Sequence, residues 1–342
     1  MRNVNEIVKA MKIGWNLGNS LDSFEVSDRL GGETGWGNPA TEKRMIDEIA
    51  SVGFNLIRIP VTWFPYVNDE DHDTICPAHL ARVKEVVDYA IANHMFVILN
   101  THHENSWLIP QWEGYEKRKE KYCRIWEQIA ECFKDYPDLL LFEALNEPRI
   151  EFGENEWGGC TQEVREVINA LQAEFVKVIR SSGGNNQERC ILITTAGAST
   201  ASEALEGLAI PEDHHLLVSL HLYLPQKFCV AVDKEHDMTV WDGTDQYVLD
   251  QAFERIDQML LKQEIPVIIT EFGAAYKGNT KEIAKWTEYV LSRAARLGIK
   301  CLWWDNNYEN VPGDSFAVFR RATCEWVRPE ILTLSDSKLD KF

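Results

Sequence analysis

None of the eight cysteines stands in a CxxC pair, so the sequence carries neither a zinc-ribbon nor a thioredoxin-like motif. They lie at 76, 123, 132, 160, 190, 229, 301 and 324, a spread that suits scattered free thiols better than a disulfide framework. No apolar run approaches about 18 residues, so no membrane span is expected. Basic charge is scarce: 35 Lys and Arg face 54 Asp and Glu, a formal net charge of −19. Nucleic-acid backbones and anionic membrane surfaces are therefore poor partners for this chain. The glycine-rich nucleotide fingerprints GxGxxG and GxxxxGK[ST] do not occur after the first strand-like run. Low-complexity linkers and internal repeats are missing too, and the whole span 1–342 reads as one uninterrupted domain. The first residues, MRNVNEIVKAMKIGWN, lack a signal-peptide hydrophobic region.

What is abundant is tryptophan, 12 residues of 342. The apolar pattern alternates between short runs and longer amphipathic ones. Strands are expected at 12–17, 54–60, 95–101, 139–145, 190–196, 215–222, 265–271 and 299–304. Each run is nearly continuous in Ile, Val, Leu or Phe, as strands buried on both faces of a parallel sheet are. The clearest helix is 163–180, where Val164, Val167, Ile168, Leu171, Phe175, Val178 and Ile179 fall on one stripe. Further helices fit 79–92, 114–135, 247–262 and 280–296, with a short one in 199–208. The first helix is expected to begin at Asn38-Pro39, a capping residue followed by proline. Eight strands alternating with helices give an α/β chain, either a doubly wound sheet or a (β/α)8 TIM barrel. The missing glycine-rich turn and the polar strand ends favour the barrel.

In such a barrel, functional side chains sit where strands end. Strand two ends in Arg58-Ile-Pro, and strand three in Asn100-Thr-His102-His103-Glu104. Strand four ends in Asn146-Glu147-Pro148, and strand six carries His221 and Tyr223. Strand seven ends in Glu271-Phe-Gly, and strand eight in Trp303-Trp304-Asp305-Asn306. Two carboxylates converging on one face is the arrangement for glycoside hydrolysis. One must donate a proton while the other attacks as an anion, and neighbours separate the two roles. Arg58 beside one Glu keeps it ionised. Side-chain alternation puts Glu143, Leu145 and Glu147 on one face, with Glu143 deep in the barrel as a structural partner of a base. Trp36, Trp63, Trp107, Trp112, Trp157, Trp241 and Trp304 lie at or just after strand ends, where flat rings can stack on sugars. Trp15, Trp126 and Trp286 are expected in the core, and His214 and His215 are expected to be structural.

The segments GWNLGNSLD (14–22), ETGWGNP (33–39), GFNLIRIPVTW (53–63) and ILNTHHE (98–104) resemble glycoside hydrolase family 5. So do FEALNEP (142–148), HLYLP (221–225), ITEFG (269–273) and WWDNN (303–307). The ordered match spans roughly residues 11–310 and looks most like the subfamily-4 endo-β-1,4-glucanases. The resemblance implies a retaining double displacement, with Glu147 as acid/base and Glu271 as nucleophile. Arg58 then supports the nucleophile, and Asn146 holds the sugar 2-hydroxyl. His102, His221 and Tyr223 complete the polar shell, with Tyr223 touching the nucleophile. Trp304 becomes the sugar platform, with Trp303 as the register alternative. His103, Asn19, Trp36, Trp107 and Trp241 are candidate sugar contacts. The same resemblance implies a secreted monomer acting on β-glucan polysaccharides or oligosaccharides, with no cofactor and no metal. Three rival functions remain: a xyloglucanase, mixed-linkage glucanase or β-mannanase on the same site; a metal-dependent hydrolase using His102, His103, His221 and Asp305; and a non-catalytic sugar-binding barrel.

Overall fold

The computed structural model describes residues 1–24, 32–230 and 237–332. The barrel strands are β1 (Gly14–Leu17), β2 (Leu56–Ile59), β3 (Phe96–Asn100), β4 (Leu140–Glu143), β5 (Ile191–Thr194), β6 (Leu216–Leu222), β7 (Val267–Phe272) and β8 (Lys300–Asp305). They close in the order β1-β8-β7-β6-β5-β4-β3-β2, with every neighbour parallel. Every expected strand is present, and each boundary falls within two residues of its expected place. The helices are α1 (Val4–Ala10), α2 (Lys43–Ser51), α3 (Pro77–Ala92), α4 (Tyr115–Phe133), α5 (Gln162–Ser181), α6 (Ser202–Glu206), α7 (Gln226–Cys229), α8 (Gln246–Met259) and α9 (Thr280–Arg296).

Two layers of side chains fill the barrel. The lower layer is apolar: Leu56, Ile98, Leu141, Leu192, Leu217, Ile268 and Leu302, joined by Ile7 and Met11 from α1. It is already full at Gly14, where an added Cβ would lie 2.4 Å from Leu302 Cγ. Two residues further along the same strand faces, the layer turns polar. Asn16, Arg58, Asn100, Glu143, Ser219 and Thr270 are all fully buried there. They satisfy one another: Glu143 accepts from Arg58 Nε at 2.6 Å, Asn100 Nδ2 at 3.0 Å and Ser219 Oγ at 2.5 Å. The apolar layer supports the barrel, and the polar layer is the floor of the site.

Strand β7 carries an irregularity that matters for that site. Leu220 and His221 of β6 pair with Ile269 and Glu271, so Thr270 is an extra residue on β7. The β8 side shows the same shift, with Cys301 and Trp303 paired to Ile269 and Phe272. A bulge lets two consecutive side chains avoid facing opposite ways. Thr270 meets Ser219 in the floor, and Glu271 meets Arg58 just above it.

Three sequence expectations need correction. Asn38 does not open the first helix: its amide donates to the carbonyls of Asn19 and Asn306, and its Oδ1 accepts from Asn307. That side chain ties the loops after β1 and β8 together, and α2 starts only at Lys43. The helix α1 was not anticipated; a capping box of Asn3 and Glu6 starts it, and its Ile7 closes the barrel's lower end. The alternation placing Leu145 and Glu147 on one face also fails, because β4 stops at Glu143. Leu145 packs in the outer core, while both Asn146 and Glu147 reach the site. The eight cysteines are all free.

Candidate active site

Arg58 organises the floor of the cleft. Its guanidinium donates to Glu143 at 2.6 Å, Glu271 at 2.5 Å, Asn146 Oδ1 at 2.7 Å and Asn16 Oδ1 at 3.2 Å. Burial alone would weaken its charge, but the two carboxylates outweigh that and hold it above the ordinary Arg value. A buried cation with a fixed fork positions both Glu271 and the amide of Asn146. With its Oδ1 bound to Arg58, Asn146 keeps its amide donors for the cleft it lines.

Glu271 also accepts from the Tyr223 hydroxyl at 2.8 Å. Burial first, then the charges of Glu271 and Glu147, push the Tyr223 phenol well above its ordinary value, so it stays a donor. Glu147 lies across from Glu271. His221 Nδ1 sits between them, 2.8 Å from Glu147 Oε1 and 3.5 Å from Glu271 Oε2. A carboxylate oxygen of Glu147 and one of Glu271 lie within 4.8 Å of each other and of a His221 ring nitrogen. Burial would raise the Glu147 carboxyl, but the hydrogen bond and charge of His221, followed by Arg149, hold it below its ordinary value. A 2.8 Å contact between a ring nitrogen and a carboxylate oxygen requires one proton between them. That proton serves a leaving oxygen only when it rests on Glu147, with His221 Nδ1 accepting.

Trp304 forms one wall. Its ring lies parallel to His102, with centroids 5.8 Å and planes 2° apart. Gly18 makes room for it, since a Cβ there would come 2.8 Å from the Trp304 ring. His102 takes its tautomer from Asn100. The Asn100 Oδ1 accepts from the Val61 amide, so its Nδ2 donates to His102 Nδ1 at 3.1 Å. The neutral ring then carries its proton on Nε2, 3.9 Å from Asp22 Oδ2. Burial, followed by the charge of His103, drives His102 well below its ordinary value. His103 is depressed to about 4, mainly by burial. Both rings are neutral at pH 7. Trp304 is the cleft residue, whereas Trp303 is fully buried and donates to the Phe316 carbonyl.

The cleft has a volume of about 690 Å³ and is bounded by residues from the ends of β3 through β8. The structure brings Glu147, Glu271, Asn146, His102, His103, His221, Tyr223 and Trp304 together along it, over Arg58. Trp36 stands beside His103, with ring centroids 5.5 Å apart. Asn19 sits in a left-handed turn (φ +57°), its backbone held by Asp22, and does not line the cleft. Trp241 is only 5% exposed and packs on Phe228 and Tyr289, which corrects its placement as a sugar contact. Trp107 packs partly buried against the core and bonds Glu104, and Trp63 is fully buried. Asp305 does not join His221, because its carboxylate accepts from Trp15 and from the amides of Asn307, Val318 and Phe319. Residues that sequence reasoning missed include Asp22, whose carboxyl is raised to about 7 by burial, and Asp314, raised to about 6 for the same reason. Asp22 lay inside a quoted motif, but nothing in its spacing set it apart.

The pattern of Cellulase (glycosyl hydrolase family 5) matches residues 20–310. Endoglucanase A of Ruminococcus albus is 43% identical over 94% of this chain and 88% of its own length. Endoglucanase A of Clostridium longisporum is 41% identical over 97% of this chain, but this chain spans only 65% of that relative. Among solved structures, a GH5-4 broad specificity endoglucanase from Clostridium acetobutylicum superposes with a TM-score of 0.92 at 41% identity, covering 98% of this chain and 99% of that one. A GH5 xyloglucan-specific endo-β-1,4-glucanase from a metagenomic library, solved with cellotriose, gives 0.93 at 38% identity, covering 97% of each chain. With the motifs, the closed barrel and the facing glutamates, these likenesses place the chain in glycosyl hydrolase family 5, as a glycoside hydrolase.

Proposed function

We propose that the chain is a retaining endo-β-1,4-glucanase that cleaves β-glucan chains by double displacement. The observation that carries this reading is the approach of Glu147 and Glu271 to within 4.8 Å, oxygen to oxygen, with His221 between them. Retaining enzymes need carboxyl groups about 5–5.5 Å apart; inverting ones leave about 6.5–9.5 Å for a water. Glu271, held in place by Arg58 and Tyr223, attacks the anomeric carbon. Glu147 gives its proton to the glycosidic oxygen, and the leaving chain departs. Glu147 then takes a proton from water, whose oxygen displaces Glu271 from the sugar. The Asn146 amide is placed to hold the 2-hydroxyl beside the reacting carbon, and Trp304 stacks under the ring.

The substrate range we assign is broad, with β-1,4-glucan backbones at its centre. The likeness to both a broad specificity endoglucanase and a xyloglucan-specific one supports that range. The neighbours solved with cellotriose support a β-glucan rather than a mannan backbone. Polymeric substrates place the site of action outside the cell, and we propose secretion. Among the described residues no helix is long and apolar enough to cross a membrane.

The test is a panel of carboxymethylcellulose, barley mixed-linkage glucan, xyloglucan, glucomannan and xylan, read by reducing ends and chain length. Rapid shortening of the glucans supports the reading. Turnover of xylan alone or of glucomannan alone would overturn it. Glu271→Ala should lower turnover by about 10⁴-fold or more while the protein stays folded; near-normal activity in that variant would remove the nucleophile assignment.

A further inference from the structure

We propose that Arg149 is a positioning residue that joins the proton donor Glu147 to a leaving-group platform, Trp157, through a single guanidinium. The inference rests on the glucanase reading and extends it to a residue outside the catalytic pair.

The geometry is specific. Arg149 follows Glu147 by two positions, and its Nη1 donates back to the Glu147 carbonyl at 3.0 Å. The same nitrogen lies 3.6 Å from Glu147 Oε2. Its Nε donates to Glu156 Oε1 at 2.8 Å, which fixes the plane of the group. The guanidinium carbon then stands 4.3 Å from the Trp157 ring centroid. Trp157 itself is anchored, because Ser199 Oγ donates to its carbonyl at 2.7 Å. Gly197, after β5, turns at φ +64° beside this segment, and a Cβ there would crowd the Glu156 carbonyl at 3.2 Å. The result is an indole backed by a cation, 49% exposed and lining the cleft beside the acid/base.

The sugar that leaves is the one whose oxygen Glu147 protonates. A half-exposed indole on the acid/base loop is therefore placed to stack on that sugar, and Arg149 holds it there. The same cation acts on the proton donor. The groups facing Glu147 are His221 from β6, His103 from the loop after β3, Arg149, and Glu271 from β7 through His221. Tyr223 faces Glu271 on the far side. Arg149 favours the ionised form of Glu147. It thereby sets the pH above which the donor is empty.

Three variants separate the two roles. Arg149→Gln should move the alkaline limb of kcat/KM on cellohexaose to higher pH. It should also raise KM by roughly 3- to 10-fold, the scale of a lost cation–π contact. Arg149→Lys keeps the charge but not the flat stacking group, so its limb should return to the wild-type position while KM stays raised. Trp157→Ala should raise KM and leave the limb in place. An unmoved limb in a folded Arg149→Gln protein overturns the proposal, as does a limb displaced equally by Lys and Gln. Failure of the wild type on every glucan would instead count against the functional reading. In that case carbon-13 NMR titration of Glu147, assigned with Glu147→Gln, still reads the Arg149 effect without turnover. An Arg149→Gln protein whose Glu147 titrates as in the wild type overturns the proposal by that route too.

Discussion

At the scale of single residues, the site depends on which group holds each carboxyl. Tyr223 gives Glu271 its second hydrogen bond, at 2.8 Å, and burial keeps that phenol protonated. Removing one charge-assisted donor typically costs about 1.5–3 kcal/mol. Tyr223→Phe should therefore lower kcat/KM by roughly 10- to 100-fold with an unchanged melting temperature, as steady-state kinetics and calorimetry would show. The two glutamates were legible in the sequence because two Glu, an Arg and several His, Tyr and Trp converge at strand ends on one face, whereas a single charged strand end passes as a solvated cap. Trp241 and Trp63, both buried, were misread for the converse reason. An indole just after a strand serves a core as well as a sugar, and only packing separates the two. Trp241 against Phe228 and Tyr289 fills space, whereas Trp157, half exposed over Arg149, offers a face. Asp22 and Arg149 escaped notice because their roles come from partners outside any recognisable spacing.

At the scale of elements, periodicity located the strands and long helices, but three features carry no periodic signal. One is α1, too short to show a stripe, whose Ile7 completes the apolar layer at the barrel's lower end. Ile7→Ala should destabilise the fold by about 2–4 kcal/mol in denaturant titration, with little change in KM, because it opens a cavity far from the cleft. The second is the extra residue on β7, which aims Glu271; a bulge is a matter of pairing, not of composition. The third is the contact of α3 with the loop after β2. His79 on α3 stacks on Tyr66 with centroids 3.6 Å apart, and its buried Nε2 has no partner among the described residues. Burial depresses this ring to about 4 from its ordinary 6.5. The fold thus favours the neutral form. Its contribution is intact above about pH 6.5 and is lost as pH falls towards 4. His102 and His103 act in the same direction, so the test is a difference between proteins. His79→Phe keeps the stacking and removes the titration; its melting temperature should fall less than the wild type's between pH 6.5 and 4.

At the scale of the whole molecule, the net charge of −19 has a consequence for kinetics. A neutral glucan neither gains nor loses from it, but carboxymethylcellulose is a polyanion and is repelled. Raising salt from 10 to about 200 mM shortens the screening length from about 30 to under 10 Å. KM on carboxymethylcellulose should then drop, while KM on barley glucan stays constant; a rise on both would show that the charge plays another part. In the mechanism we propose, the barrel as a whole gathers side chains from β2, β4, β6 and β7 so that one carboxylate attacks where another delivers a proton. Covalent trapping tests that claim most directly. Incubation with a 2-deoxy-2-fluoro-cellotriosyl fluoride, followed by intact mass and peptide mapping, should find one fluorosugar chain attached to Glu271. No adduct, or an adduct on any other residue, would contradict the account.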